Sequence, residues 1–427
     1  NHTSDQHDWF LNSRSSRESP FRDYYLWQDA GPDGKPPNNW QAVFGGRGWE
    51  WDETTRQYYY HMFYKEQPDE NWRNPKVRQE MLDVFRFWLD KGVRGFRLDV
   101  FNIYFKDALL RDNPLKPFGR RPFDRQIHLY DFDQPELMDV LGDIRAVLDG
   151  HQAAYAIGET FFSSPEKAAR YCGDGLLHAC FNFEVMEARR DPKLLMERIQ
   201  QWQQALGDTW PNCVLNNHDT RRYASRFGQG EDDARLKVMA AMLLTLRGTP
   251  FLYYGEEIGM RDIRVRRKDI LDPIGKRYWP IYPGRDGCRA PMQWDASPQS
   301  GFSSAKPWLP LHPNFRGRNV AAQSQEAHSL LNFYKALLSL RRGQLALISG
   351  DFVPMQSGAP AVMSYAREQA GQSLLVLLNF SSAPQTAALP PQREYAAALS
   401  SVGRAPAETC AGQVALKGNE ALILQEL

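Results

Sequence analysis

From residue 74 onward the chain alternates between two hydrophobic periods. Apolar residues recur at helical spacing, then gather into short strand-like runs, and the cycle repeats. Asn74 is a good N-cap and Pro75 fits the first helical position. Val77, Met81, Val84, Phe85 and Trp88 follow at helical spacing, and Gly92 stops the helix. The run GVRGFRLDV (92–100) then reads as a strand. Further helices are expected near 135–148, after Pro165, and over 192–206, 232–247 and 325–342; strands are expected at 153–159, 176–184, 211–217 and 250–256. Such alternation predicts parallel strands with helices outside, hence an α/β barrel or a doubly wound sheet. Polar residues at the strand C-terminal ends favour the barrel, which carries its chemistry on that face.

Both flanks differ. Residues 1–64 are crowded with rings, including Trp27, Trp40, Trp49, Trp51 and Tyr58 to Tyr60, among Gly, Pro, Asn and Asp that argue against long helices. This segment is either a small aromatic core or a cap whose rings face a ligand, and one segment can be both. From about Leu345 the runs AVMSYAR, SLLVLLNF, EYAAAL, GQVALKG and EALILQEL alternate with turns. They predict an all-β domain, a small antiparallel sandwich.

The chain has 427 residues, enough for more than one domain. With 24% charged residues and a net charge of +1, no nucleic-acid or membrane-surface partner is expected. No apolar run approaches the roughly 20 residues that span a bilayer. The five cysteines are scattered, without zinc-ligand or CxxC spacing. They read as free thiols of a reducing compartment, so the expected location is cytoplasmic. A signal peptide cannot be assessed, because the chain begins without Met and inside a motif.

Three carboxylates sit at or near the ends of strand-like runs: Asp99 in GFRLD, Glu159 in IGET and Asp219 in NNHD. Glycosidic cleavage needs two carboxyl groups, one to protonate the leaving oxygen and one to attack carbon or activate water. Asp99 suits the ionised role, because Arg97 lies two residues before it on the same strand face and a nearby guanidinium keeps an aspartate charged. Taken alone, that pair also reads as a structural ion pair closing a strand. Glu159 follows the apolar run AYAI, and low-dielectric walls suit a general acid. Asp219 has a bland alternative as a helix N-cap.

Together, NHTSDQHDWF (1–10), QPDENWRNP (67–75), GVRGFRLDV (92–100), IGET (157–160), NNHDTRR (216–222), YYGEEIGM (253–260) and RDGCRAPMQWD (285–295) make the chain resemble the α-amylase superfamily, glycoside hydrolase family 13. Within it the chain is similar to the α-glucosidase and oligo-1,6-glucosidase branch. The resemblance implies a (β/α)8 TIM barrel, with a lid domain at 1–64, the catalytic barrel at 65–344 and the C-terminal β domain at 345–427. It implies Asp99 as nucleophile, Glu159 as acid/base and Asp219 as the third carboxylate, gripping hydroxyls of the glucose being cleaved. His2, Arg97, His218 and Arg289 would contact the same sugar. The mechanism would be retaining, with the Asp99 and Glu159 carboxyls about 5–5.5 Å apart. Val100, directly after the nucleophile, resembles the isomaltase type, where a β-branched side chain narrows the acceptor side; otherwise Val100 merely continues a β-favoured strand.

By the same resemblance Asn1 and His2 belong to the end of the third barrel strand. The barrel is then expected to be incomplete in this chain, with strands one to three missing, and the segment alone to fold poorly or be inactive through its open strand edges. No metal and no cofactor are expected in the chain itself; a calcium loop found in many members would lie upstream. The expected partner is an oligosaccharide such as isomaltose or maltose, and the expected state a monomer or homodimer. Two departures stand out: Arg221 where the family motif usually has Pro, and RVRRKD (264–269) in place of the sucrose-isomerase signature RLDRD. The alternatives are a glucosyl-transferring relative such as trehalose synthase, or a non-catalytic transporter partner.

Overall fold

The computed structural model describes all residues except 162, 370 and 406. Contacts divide the chain into two compact units, Asn1–Phe181 and Asn182–Leu427.

The first unit begins with a three-stranded antiparallel sheet: β1 (Trp27–Gln28), β2 (Trp49–Asp52) and β3 (Gln57–Tyr60), in the order β1-β3-β2. Its rings form a true core. Trp40, Trp49 and Tyr60 pack with Met62, Val100 and Ile103, while Phe10, Tyr25 and Tyr59 pack with Val77. The helix Pro75–Asp90 starts where Asn74 and Pro75 place it, with the Asn74 side chain accepting from the Lys76 N–H at 2.9 Å. Its buried face is Val77, Leu82, Phe85 and Leu89, whereas Val84 and Trp88 are exposed. The segment carries apolar residues on more than one face, so periodicity alone did not fix which face turns inward. Contact with the helix Leu137–Asp149 and with Phe96, whose ring centroid lies 4.7 Å from that of Phe85, selects it. β4 (Gly95–Leu98), β5 (Tyr155–Gly158) and β6 (Ala179–Cys180) form a parallel sheet in that order, with Leu98 opposite Gly158. Gly158 is required by close approach, since a Cβ there would collide with the Phe101 ring and with Leu177.

In the second unit β7 (Asn212–Val214) and β8 (Thr249–Phe251) pair in parallel. Before β7 comes the helix Pro192–Leu206, capped by Asp191, and between the strands lies the helix Ala234–Thr245, buried from Val238 to Thr245. Strands β6, β7 and β8 are shorter than the runs expected from the sequence. The helix Leu330–Gly343 starts at the N-cap Ser329.

The remaining strands are β9 (Asp351–Met355), β10 (Val362–Gln369), β11 (Gln372–Asn379), β12 (Gln385–Ala388), β13 (Glu394–Ser400), β14 (Thr409–Ala411), β15 (Gln413–Leu416) and β16 (Ala421–Glu426). They form a six-stranded antiparallel sheet, β14-β13-β16-β11-β10-β9, and a two-stranded sheet, β12-β15. Alternation decides each face. Leu374, Val376, Leu378 and Ile423 pack with the helices Ala234–Thr245 and Leu330–Gly343. Leu375, Leu377, Leu422 and Leu424 pack with Ala387 and Leu416 of the small sheet, which makes the sandwich. None of the five cysteines forms a disulfide among the described residues, and among these no helix is long and apolar enough to cross a membrane.

Candidate active site

In the first unit the parallel register of β4 and β5 places Asp99 and Glu159 one residue beyond adjacent strand ends, and the Glu159 N–H donates to the Leu98 carbonyl at 2.9 Å. Arg97 joins the two carboxylates: Nη1 donates to Asp99 Oδ1 at 2.6 Å, and Nη2 pairs with Glu159 Oε2. The surroundings differ sharply, with 55% of the Asp99 side chain exposed against 8% of Glu159. Burial works to raise the Asp99 carboxyl, but hydrogen bonds from Arg97 and Glu159 outweigh it and hold the group below the ordinary aspartate value. For Arg97, burial opposes the charge, and Glu159 and Asp99 more than offset it, so its pKa is raised. Arg97 was legible as a partner of Asp99; its bond to Glu159, 62 residues away along the sequence, depends on strand pairing.

Val100 does not continue the strand. β4 ends at Leu98, and Val100 adopts the left-handed conformation (φ 40°, ψ 43°) while its side chain is buried. For a β-branched residue this geometry is an outlier that costs about 1–3 kcal/mol. Its location directly after Asp99 matches the tendency of backbone strain to gather at functional positions.

His2 lies in the same unit, its Nε2 2.8 Å from the Gln67 side-chain nitrogen and its ring 5.4 Å from that of Phe63. Its Nδ1 is buried without a hydrogen-bond partner. Burial pushes the imidazole down to about 4, so the ring is neutral at physiological pH. The Asn1 side chain donates to the Asp99 carbonyl at 3.1 Å.

In the second unit Asp219 caps no helix; the next one, Tyr223–Phe227, has Arg222 at its N-cap. The Asp219 carboxylate instead gathers two arginines and a histidine: Arg289 Nη2 at 2.8 Å, Arg285 Nη1 at 3.3 Å and His218 Nε2 at 3.4 Å. Arg289 also donates through Nε to the His218 carbonyl at 2.9 Å, and Asn217 Oδ1 accepts the Asp219 N–H at 2.9 Å. Arg285 had no role assigned from the sequence. It is pinned to the buried Asp272 through Nε and Nη2, both at 3.0 Å, and this doubly bonded base fixes the arginine that meets Asp219. Its place in the RDGCRAPMQWD segment was the only signal. Asn216 was passed over as well: it is buried, and among the described residues neither polar atom of its side chain has a hydrogen-bond partner. Arg221, the departure from the motif, is largely exposed and bonds Asp262 at 3.2 Å.

The family model described as alpha amylase, catalytic domain, matches residues 1–350. The chain belongs to the alpha-amylase family. The probable alpha-glucosidase of Rhizobium meliloti is 40% identical over 407 residues, covering 92% of this chain and 74% of the relative. The oligo-1,6-glucosidase of Parageobacillus thermoglucosidasius is 35% identical over 427 residues, covering 91% and 75%. Among solved structures, the alpha-glucosyl transfer enzyme XgtA superposes with a TM-score of 0.92 at 37% identity, covering 100% of this chain and 81% of that one. The trehalulose synthase MutB from Pseudomonas mesoacidophila MX-45 gives 0.89 at 31%, covering 100% and 82%. This alpha-amylase family chain therefore has the family's TIM-barrel fold class with a C-terminal antiparallel sheet, and the curated relatives it matches are named α-glucosidases and oligo-1,6-glucosidases.

Proposed function

We propose that the chain carries the catalytic residues of a retaining, exo-acting α-glucosidase that removes terminal glucose from short oligosaccharides with α-1,6 or α-1,4 bonds. The observation that carries this reading is the Arg97 bridge between an exposed, ionised Asp99 and a buried Glu159 at neighbouring strand ends. Glu159 gives its proton to the glycosidic oxygen as the bond to the anomeric carbon breaks. An Asp99 oxygen forms a new bond to that carbon, giving a glucosyl-enzyme ester. Water, deprotonated by Glu159, then attacks the same carbon, releasing glucose and regenerating both carboxyl groups. In this reading Arg97 keeps Asp99 anionic for the first step. His2 offers an uncharged ring whose unpartnered Nδ1 suits a sugar hydroxyl. To Asp219 falls the grip on glucose hydroxyls, with Arg289 and His218 holding its carboxylate in place.

A second reading, glucosyl transfer, is favoured by the high similarity to the alpha-glucosyl transfer enzyme. Both share the first step and differ in whether water or a sugar hydroxyl accepts the glucose. Initial rates of glucose release from isomaltose and maltose, with Asp99→Asn as the blank, test the assignment. Two glucose molecules released per disaccharide consumed, abolished in the variant, support hydrolysis. New oligosaccharide with at most one free glucose per disaccharide consumed supports transfer. Equal activity in Asp99→Asn would remove Asp99 as nucleophile.

A further inference from the structure

The second unit holds a cleft of about 420 Å³ that the glycosidase reading does not use. It is lined by Arg189, Arg190, Arg226 and Arg235, with Glu187 and Phe227 beside them. Among the described residues none of the four guanidinium groups has a carboxylate within ion-pair distance. The nearby Glu184 is taken by Arg198. Two of the four are fixed by neutral acceptors: Arg190 donates to the Phe380 carbonyl at 2.6 Å and to Asn419 Oδ1 at 2.7 Å, and Arg226 to the Met186 carbonyl and, at 2.5 Å, the Leu215 carbonyl. Among the described residues Arg189 and Arg235 have no side-chain hydrogen bond. The Nε atoms of Arg190, Arg226 and Arg235 are buried and unpartnered. Burial, then the Arg235 charge, pushes Arg190 down to about 10, and burial lowers Arg226. Four like charges gathered around one carboxylate repel one another, and a bound anion relieves that repulsion.

We propose that this cleft binds a phosphate group, either as inorganic phosphate or as the monoester of a small sugar. Guanidinium forks match phosphate geometry two bonds at a time, and four forks exceed what the two oxygens of a carboxylate can use. The volume leaves room for an esterified sugar beside the phosphate. The two anchored arginines provide a preformed floor, and Arg189 and Arg235 close on the ligand.

Calorimetric titration of the chain with inorganic phosphate and with glucose 6-phosphate, at matched ionic strength, tests the proposal. Saturable binding is expected, weakened by about tenfold or more for each of Arg189→Ala and Arg235→Ala. Tighter binding of the ester identifies a phosphorylated sugar; equal affinities identify free phosphate. No saturable heat from either probe, or full affinity in the doubly substituted chain, overturns the proposal. Line broadening of the phosphorus NMR signal by the unsubstituted chain gives a readout that needs no variant, and its absence overturns the proposal too.

Discussion

The buried pair Lys106–Asp69 offers the sharpest test of how the first unit is held together. Both side chains are almost fully enclosed, at 1% and 0% exposure, and Lys106 Nζ meets Asp69 Oδ2 at 2.5 Å. Lys106 also donates to the Ile103 carbonyl at 2.6 Å and lies 5.2 Å from the Tyr60 ring centroid. The other Asp69 oxygen accepts the Met62 N–H at 2.7 Å, and the Asp69 backbone pairs with His2. The pair thus links the loop following Asp99 to the segment that carries His2. Lys106→Met leaves an anion in the core with one backbone N–H; Asp69→Leu leaves a cation with one carbonyl and a ring. Each is expected to destabilise the unit by about 3–5 kcal/mol, because removing one partner strands a buried charge. The combined variant should cost no more than either single one, a coupling of about 3–5 kcal/mol. Hydrogen exchange under native conditions reads this directly. Peptides covering residues 58–70 and 101–107 should exchange about a hundredfold to several thousandfold faster in each single variant, and no faster in the double one than in either single. Single variants that cost under about 1 kcal/mol, or strict additivity, would refute the claim that this pair is an enclosed charge couple.

Glu256 is buried, and burial raises its carboxyl to about 8. The folded chain then holds a proton that the unfolded chain releases near 4.5, so stability should fall by a few kcal/mol as pH rises between those values. Glu256→Gln should flatten that slope in thermal unfolding, and an unchanged slope would assign it elsewhere. Arg285→Ala should destabilise the second unit by about 3–5 kcal/mol, since Asp272 is left buried with its charge; a urea midpoint within error of the parent would contradict this. Val100→Thr swaps a methyl for a hydroxyl beside the proposed nucleophile and should shift the isomaltose-to-maltose rate ratio by about tenfold. An unchanged ratio would remove the side-chain polarity at residue 100 as a determinant of linkage preference.

What the sequence disclosed follows the range of the interactions involved. Asn74, Pro75 and Gly92 act within a turn or two, so the limits of the helix Pro75–Asp90 were legible, yet its inward face was not, because contact with Phe96 and the helix Leu137–Asp149 selects among several apolar stripes. Asp99 and Glu159 were visible as polar residues ending apolar runs. The bond from Arg97 to Glu159 needs the register of β4 on β5, and the grip of Arg285 on Asp219 spans 66 positions, so neither leaves a local trace. The left-handed turn at Val100 runs against its β propensity, which is why it read as strand. The cluster of arginines around Glu187 joins three separate segments and was invisible to any window along the chain.

The six-stranded sheet has one face committed to the small β12-β15 sheet and the other to the helices Ala234–Thr245 and Leu330–Gly343. The match to the catalytic-domain model ends at residue 350, yet the hydrophobic interior of the second unit runs straight through that point, from Leu195 to Ile423. A swap that exchanged the chain beyond 350 for that of a relative would therefore graft half an interior. Leu374, Val376, Leu378 and Ile423 would have to be carried over with the donor's matching helices. In recombination among relatives, this tail and the helices it covers are inherited as one piece.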